Sequence, residues 1–112
     1  MIVGKGVSYA DAHQEIKDFV ETTNIPYLVT PMAKGTISDD HPQFVGTARS
    51  HALKSADVIV LAGARLNWIL HFGKAPRFRP DVKIIQIEND PLEIHTNVKS
   101  EVVLNGDAKA VL

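Results

Sequence analysis

Two cations in this sequence stand directly behind short apolar runs. Lys5 follows Ile2-Val3-Gly4, and Arg65 follows the run from Val58 to Ala62 with Gly63-Ala64 between. An acid, Glu88, closes a third run, Lys83 to Ile87. Such runs mark strands covered on both faces. If the strands lie parallel, side chains just past their carboxyl ends meet in one crevice. Lysine and arginine there can hold a diphosphate through charge-assisted hydrogen bonds. An acid at a strand end can accept hydrogen bonds from ribose hydroxyls. Glycines beside them, Gly4, Gly6, Gly63 and Gly106, let a backbone approach closely. Together these residue types describe a nucleotide site. Each has a plainer alternative. Lys5 could be a solvated turn lysine, Arg65 half of a surface ion pair, and Glu88 an acid that favours the N-terminus of a following helix.

The elements that must position these groups alternate along the chain. Ile2-Val3 reads as a strand end, and the spacing of Ala12, Ile16, Phe19 and Val20 predicts a helix from Ala10 to Thr22. Tyr27 to Thr30 reads as a short strand, followed by turn formers up to Pro42. Thr47 to Ser55 predicts a helix with Ala48, Ala52 and Leu53 inward, and Val58 to Ala62 a buried strand. A short helix is expected over Leu66 to Phe72. Lys83 to Ile87 is a further strand. Asp90-Pro91-Leu92-Glu93 has the cap, the proline and the acid of a helix start. Val102 to Leu104 is the last strand, and Gly106-Asp107 leads into a final helix. This alternation predicts an α/β fold, a parallel sheet with helices on both faces.

The 112 residues suffice for one domain and one core, and 45% apolar content argues against disorder. A formal net charge of −1 gives no global field for nucleic acid or membrane, so any anion site must be local. With no cysteine, a thiol nucleophile, a disulfide frame and an iron–sulfur cluster are excluded. No apolar run approaches the roughly 20 residues of a membrane span. The opening Ile2-Val3 and the closing Ala108, Val111 and Leu112 read as an interrupted strand and a helix that is starting. The expectation is one domain of a longer polypeptide, marginally stable alone.

Several familiar chemistries find no support. Gly4-Lys5-Gly6 begins a dinucleotide fingerprint, but Tyr9 stands where the third glycine belongs. Thr30-Pro31 occupies the place of the acid an ordinary NAD site wants after its second strand. The five histidines show no HxH or HExxH spacing, which argues against a metal site. Arg77-Phe78-Arg79 is a small basic patch in a balanced surrounding and reads as a solvated loop rather than an RNA contact. Trp68 and Phe72 read as packing residues rather than a stacking platform.

The stretches "GKGVSYA", "PYLVTPMAKGTISDDHP", "GTARSHAL", "ADVIVLAGARLNWILHFG" and "VKIIQIENDPLEI" resemble the central domain of thiamine-diphosphate-dependent 2-hydroxyacyl-CoA lyases and, slightly less, oxalyl-CoA decarboxylases. The resemblance implies a three-layer Rossmann-like domain of the DHS-like NAD/FAD-binding type. It implies a parent lyase that cleaves 2-hydroxyacyl-CoA to formyl-CoA and a shortened aldehyde. Thiamine diphosphate and Mg²⁺ would be held by neighbouring pyrimidine- and diphosphate-binding domains, so this chain alone is expected to be inactive. By match of motif, Lys5, Arg65, Glu88 and Ala108 would line a pocket for ADP or the ADP part of CoA. Gly46, Thr47, Ala48, Arg49 and Ser50 would lie along the CoA side. Relatives usually carry aspartate where Glu88 stands. The parent would be a homodimer or homotetramer, peroxisomal in a eukaryote and cytoplasmic in a bacterium. Two other readings stay open: a non-catalytic nucleotide-binding or joining domain, and an NAD-dependent deacylase-like domain, against which the lack of cysteine counts.

Overall fold

A computed structural model describes all 112 residues. Five parallel strands form one sheet: β1 (Ile2–Val3), β2 (Leu28–Val29), β3 (Val58–Ala62), β4 (Lys83–Glu88) and β5 (Val102–Asn105), in the order β2-β1-β3-β4-β5. Along β1, β3 and β4 successive side chains alternate between two apolar layers. Val3, Ala62 and Ile87 face one, and Ile2, Ile59, Leu61 and Ile84 face the other. This is the period of two expected when both faces of a sheet are covered. Helices α1 (Lys5–Tyr9), α2 (His13–Thr23) and α4 (Ala108–Val111) supply Val7, Ile16, Val20 and Ala108 to the first layer. Helix α3 (Arg49–Ser55) supplies Leu53 to the second, joined by Leu66, Leu70 and Phe78. The expected α/β architecture with both faces covered is present.

Local structure departs from the periodicity in instructive places. The single helix expected from Ala10 to Thr22 is two helices. The chain breaks at Asp11, which takes a left-handed φ of 52°, and α1 already begins at Lys5. The glycines at 4 and 6 concealed that start, because glycine is a poor helix former. Helix α2 ends at Thr23; the Asn24 N–H still donates to the Val20 carbonyl at 2.8 Å, and the left-handed φ of 54° at Asn24 then turns the chain away. The helix expected after Asp90 is only a single 3₁₀ turn, Pro91–Glu93, capped as anticipated by the Asp90 carboxylate on the Leu92 N–H.

The segment Leu66 to Phe72 is not a regular helix. Asn67 caps the Ile69 N–H, and then His71, Phe72 and Gly73 all take left-handed conformations. The turn buries Leu70 to 1% exposure but leaves Trp68 71% and Phe72 46% exposed. The expectation that Trp68 and Phe72 pack is therefore corrected: Leu70, between them, takes the inward place. Phe78 is core, and Arg79 forms a two-pronged pair with Asp81, so the basic patch presents no free aromatic.

Candidate functional site

The strand order reverses between β1 and β3, which makes their carboxyl ends the topological switch point of the sheet. A cleft of about 360 Å³ opens there. Lys5 and Tyr9 of α1, Gly63 and Arg65 after β3, Glu88 at the end of β4 and Asp90 beyond it, Asp107 before α4 and Ala108 at its start line it. Its cations stand over β1 and β3, its carboxylates over β4 and β5. A ligand with an anionic end and a hydrogen-bond-donating end matches this separation.

Two glycine turns build the cationic end by packing on each other. The Gly4 N–H donates to Ala62 at 2.8 Å and the Gly6 N–H to Gly63 at 3.0 Å. A Cβ on Gly4 would stand 2.2 Å from the Gly63 carbonyl oxygen. These glycines permit the close approach of two turns of the protein itself, and so set the spacing of Lys5 and Arg65. Lys5 occupies the first helical position, and its Nζ lies 5.8 Å from the centroid of the Tyr9 ring. Tyr9, one helical turn further and 71% exposed, was missed from sequence. Starting the helix at Lys5 would have placed it on the same face.

Arg65 is 43% exposed, with its Nε 3.4 Å from a Glu93 carboxylate oxygen. Glu88 ends β4 half-buried. Its Oε1 accepts the Asp90 N–H at 3.0 Å, and no protein donor reaches Oε2. Its main chain is fixed by Asn105, whose Nδ2 donates to the Glu88 carbonyl at 2.7 Å. Ala108 follows Asp107, whose carboxylate caps α4 through the Lys109 N–H. The Ala108 methyl belongs to the core, so its backbone is what it can offer a ligand.

The stretch from Gly46 to Ser50 lies apart from this cleft. An added Cβ on Gly46 would meet the Phe44 ring at 2.1 Å, so packing accounts for that glycine. Gly46, Thr47 and Ala48 form a 3₁₀ turn, and Ser50 lies in the first turn of α3. Arg49 lines a separate depression of about 240 Å³ with Lys34 and Pro31, and its Nη2 donates to the Ile69 carbonyl. Between the two lies a hollow of about 160 Å³ walled by Lys5, Arg65, Thr30 and Ile69. The sheet edge thus carries a continuous run of depressions from Asp107 to Arg49.

The family described as "Thiamine pyrophosphate enzyme, central domain" matches residues 1–112. The chain belongs to this family. It is 56% identical to human 2-hydroxyacyl-CoA lyase 1 over 111 residues, 99% of this chain and 19% of that protein. It is 43% identical to oxalyl-CoA decarboxylase of Escherichia coli K12 over 107 residues, 96% of this chain and 19% of that protein. The solved structure of a thiamin diphosphate-dependent enzyme from Mycobacterium smegmatis superimposes with a TM-score of 0.73 at 21% identity. That match covers 96% of this chain and 22% of the other. The chain therefore spans about a fifth of the length of these relatives, and the likeness to both acyl-CoA enzymes noted from sequence holds over nearly all of it.

This central domain does not itself fit thiamine diphosphate with a metal. No cluster of three or more His, Cys, Asp or Glu side chains stands close enough to hold an ion. The only Gly-Asp pair, Gly106-Asp107, uses its carboxylate to cap a helix. No helix is long and apolar enough to cross a membrane.

Proposed function

We propose that this domain holds the nucleotide end of the substrate, or a separate ADP, in a thiamine-diphosphate- and Mg²⁺-dependent lyase. That enzyme cleaves 2-hydroxyacyl-CoA to formyl-CoA and a shortened aldehyde. The observation that carries the reading is the convergence at the switch point. Lys5, Arg65, Glu88 and Ala108 come from four separate stretches of the chain and line one cleft. Lys5 and Arg65 grip the diphosphate, Glu88 Oε2 accepts a ribose hydroxyl, and the Ala108 backbone meets the base. Arg49 and Lys34, at the far end of the run, meet the rest of CoA. Higher identity to the lyase than to the decarboxylase favours the lyase reaction.

Electron-sink chemistry belongs to thiamine diphosphate, held by the neighbouring domains of the full-length enzyme. This domain contributes binding energy remote from the bond that breaks, which positions the reacting end. The full-length enzyme is homo-oligomeric and, in a eukaryote, peroxisomal.

Calorimetric titration of the 112-residue chain tests the reading. ADP and CoA should bind at least about tenfold more tightly than adenosine, since charge-assisted phosphate contacts are worth roughly 1.5–3 kcal/mol each. Equal affinity for adenosine and ADP would remove the diphosphate role.

A further inference from the structure

Arginine offers a phosphate its best contact as a flat, two-pronged donor, and this works only if the guanidinium is held in one orientation. Resting on the reading of the cleft as a diphosphate site, we propose that Glu93 is the positioning residue for Arg65. The Glu93 carboxylate makes an ion pair with the guanidinium on its Nε side, 3.4 Å from Nε to Oε1, outside hydrogen-bond geometry. No side-chain nitrogen of Arg65 donates a hydrogen bond within the protein, and the shortest approach of Glu93 is to Nε, so the outer edge stays available to an anion. Arg65 lines both the main cleft and the adjoining hollow, whereas Glu93 lines neither. A residue that merely competed with the ligand would take the outer edge itself.

The protein commits buried polar groups to keeping Glu93 in place. Gln86 is a polar residue in the middle of the core strand β4, and it is 4% exposed. Its Nε2 donates to the Glu93 carbonyl at 3.1 Å. Its Oε1 accepts from the Ser100 hydroxyl at 2.7 Å and the His95 N–H at 3.2 Å. The connection carries two non-glycine left-handed residues, His95 at φ 64° and Asn97 at φ 68°, a conformation that costs energy. From there Asn97 Nδ2 donates to the carbonyl of Leu66, the residue after Arg65, at 2.9 Å. The β4–β5 connection is thus tied to the Arg65 turn at two points and anchored on Gln86 at a third. Outer contacts of this kind orient the groups that touch a ligand.

The test turns on sign. Glu93→Gln removes a negative charge beside an anion site, so simple electrostatics predicts tighter ADP binding. Positioning predicts the opposite: ADP should weaken about five- to tenfold, with adenosine unchanged, because pairwise couplings of this size are ordinary for contacting residues. In an Arg65→Ala background, Glu93→Gln should change nothing. Tighter or unchanged ADP binding, equal loss for adenosine, or a loss that persists without Arg65 would each overturn the proposal. A ligand-free measurement separates it from the reading it rests on. In NMR relaxation, the Arg65 side chain should be less mobile at Nε in the wild type than in Glu93→Gln. If ADP does not bind the wild type, the cleft reading fails, and this mobility alone decides whether Glu93 holds Arg65. Equal mobility overturns the positioning role.

Discussion

Gly4→Ala should remove roughly 3–5 kcal/mol of stability. Its φ of −110° suits any residue, so the cost is steric. The new methyl would stand 2.2 Å from the Gly63 carbonyl oxygen and 2.5 Å from the Ala64 Cα, both backbone atoms. No side chain can swing aside. The β1 and β3 turns must part, which strains or breaks the bonds Gly4 to Ala62 and Gly6 to Gly63. Overpacking costs about 1–3 kcal/mol, and each of two lost hydrogen bonds about 1 more. Against a total of about 5–15 kcal/mol, that is a large fraction. Gly35→Ala is the control. Its φ is 86°, but nothing lies within 4 Å of an added Cβ, so only the left-handed backbone penalty of about 1–2 kcal/mol applies. Urea denaturation of both variants checks the contrast. If Gly4→Ala lost no more than Gly35→Ala, the two turns would not be packed as described.

Arg65→Ala should weaken ADP roughly ten- to thirtyfold and leave adenosine nearly unchanged. One charge-assisted phosphate contact is worth about 1.5–3 kcal/mol. The side chain is 43% exposed, and solvent screening holds the loss to the lower part of that range. Arg65→Lys should recover only a fraction. Lysine lacks the two-pronged edge and also the Nε that Glu93 engages. The fold should survive, because the side chain lies beyond a strand end and outside both apolar layers. Calorimetry with both ligands reads the result. Losses shared equally by ADP and adenosine, or none for either, would leave Arg65 as the surface half of an ion pair with Glu93.

Strands β3 and β4 could be read directly, because a strand buried on both faces writes its burial into consecutive residues. Val58 to Ala62 stands as expected, and Lys83 to Ile87 extends only by Glu88. The ordering of chemistry along the chain was equally open to reading. In a parallel sheet every strand delivers its next few residues to the same edge, so Lys5, Arg65 and Glu88 had to converge there if the alternation held. Ala108 and the Gly46 to Ser50 stretch entered through resemblance alone. The cleft takes in Ala108 and leaves the other stretch, save Arg49, away from the depressions along that edge.

Other features depend on which distant backbones happen to touch. Gly4 and Gly6 look the same whether they face a ligand or another turn, and packing makes them face Gly63. Gln86 reads as one polar blemish in an apolar strand until the β4–β5 connection folds over it and uses both ends of its amide. Glu93 lies far from Arg65 in sequence, with no spacing rule to link them, and is brought beside it through Gln86. The left-handed turn at His71 and Phe72 inverts the helical expectation for Trp68 and Phe72, because Leu70 has to reach the second apolar layer. Periodicity records the burial of neighbours along the chain. The partners that orient a site are chosen by contacts between distant segments, and these exist only once the sheet has assembled.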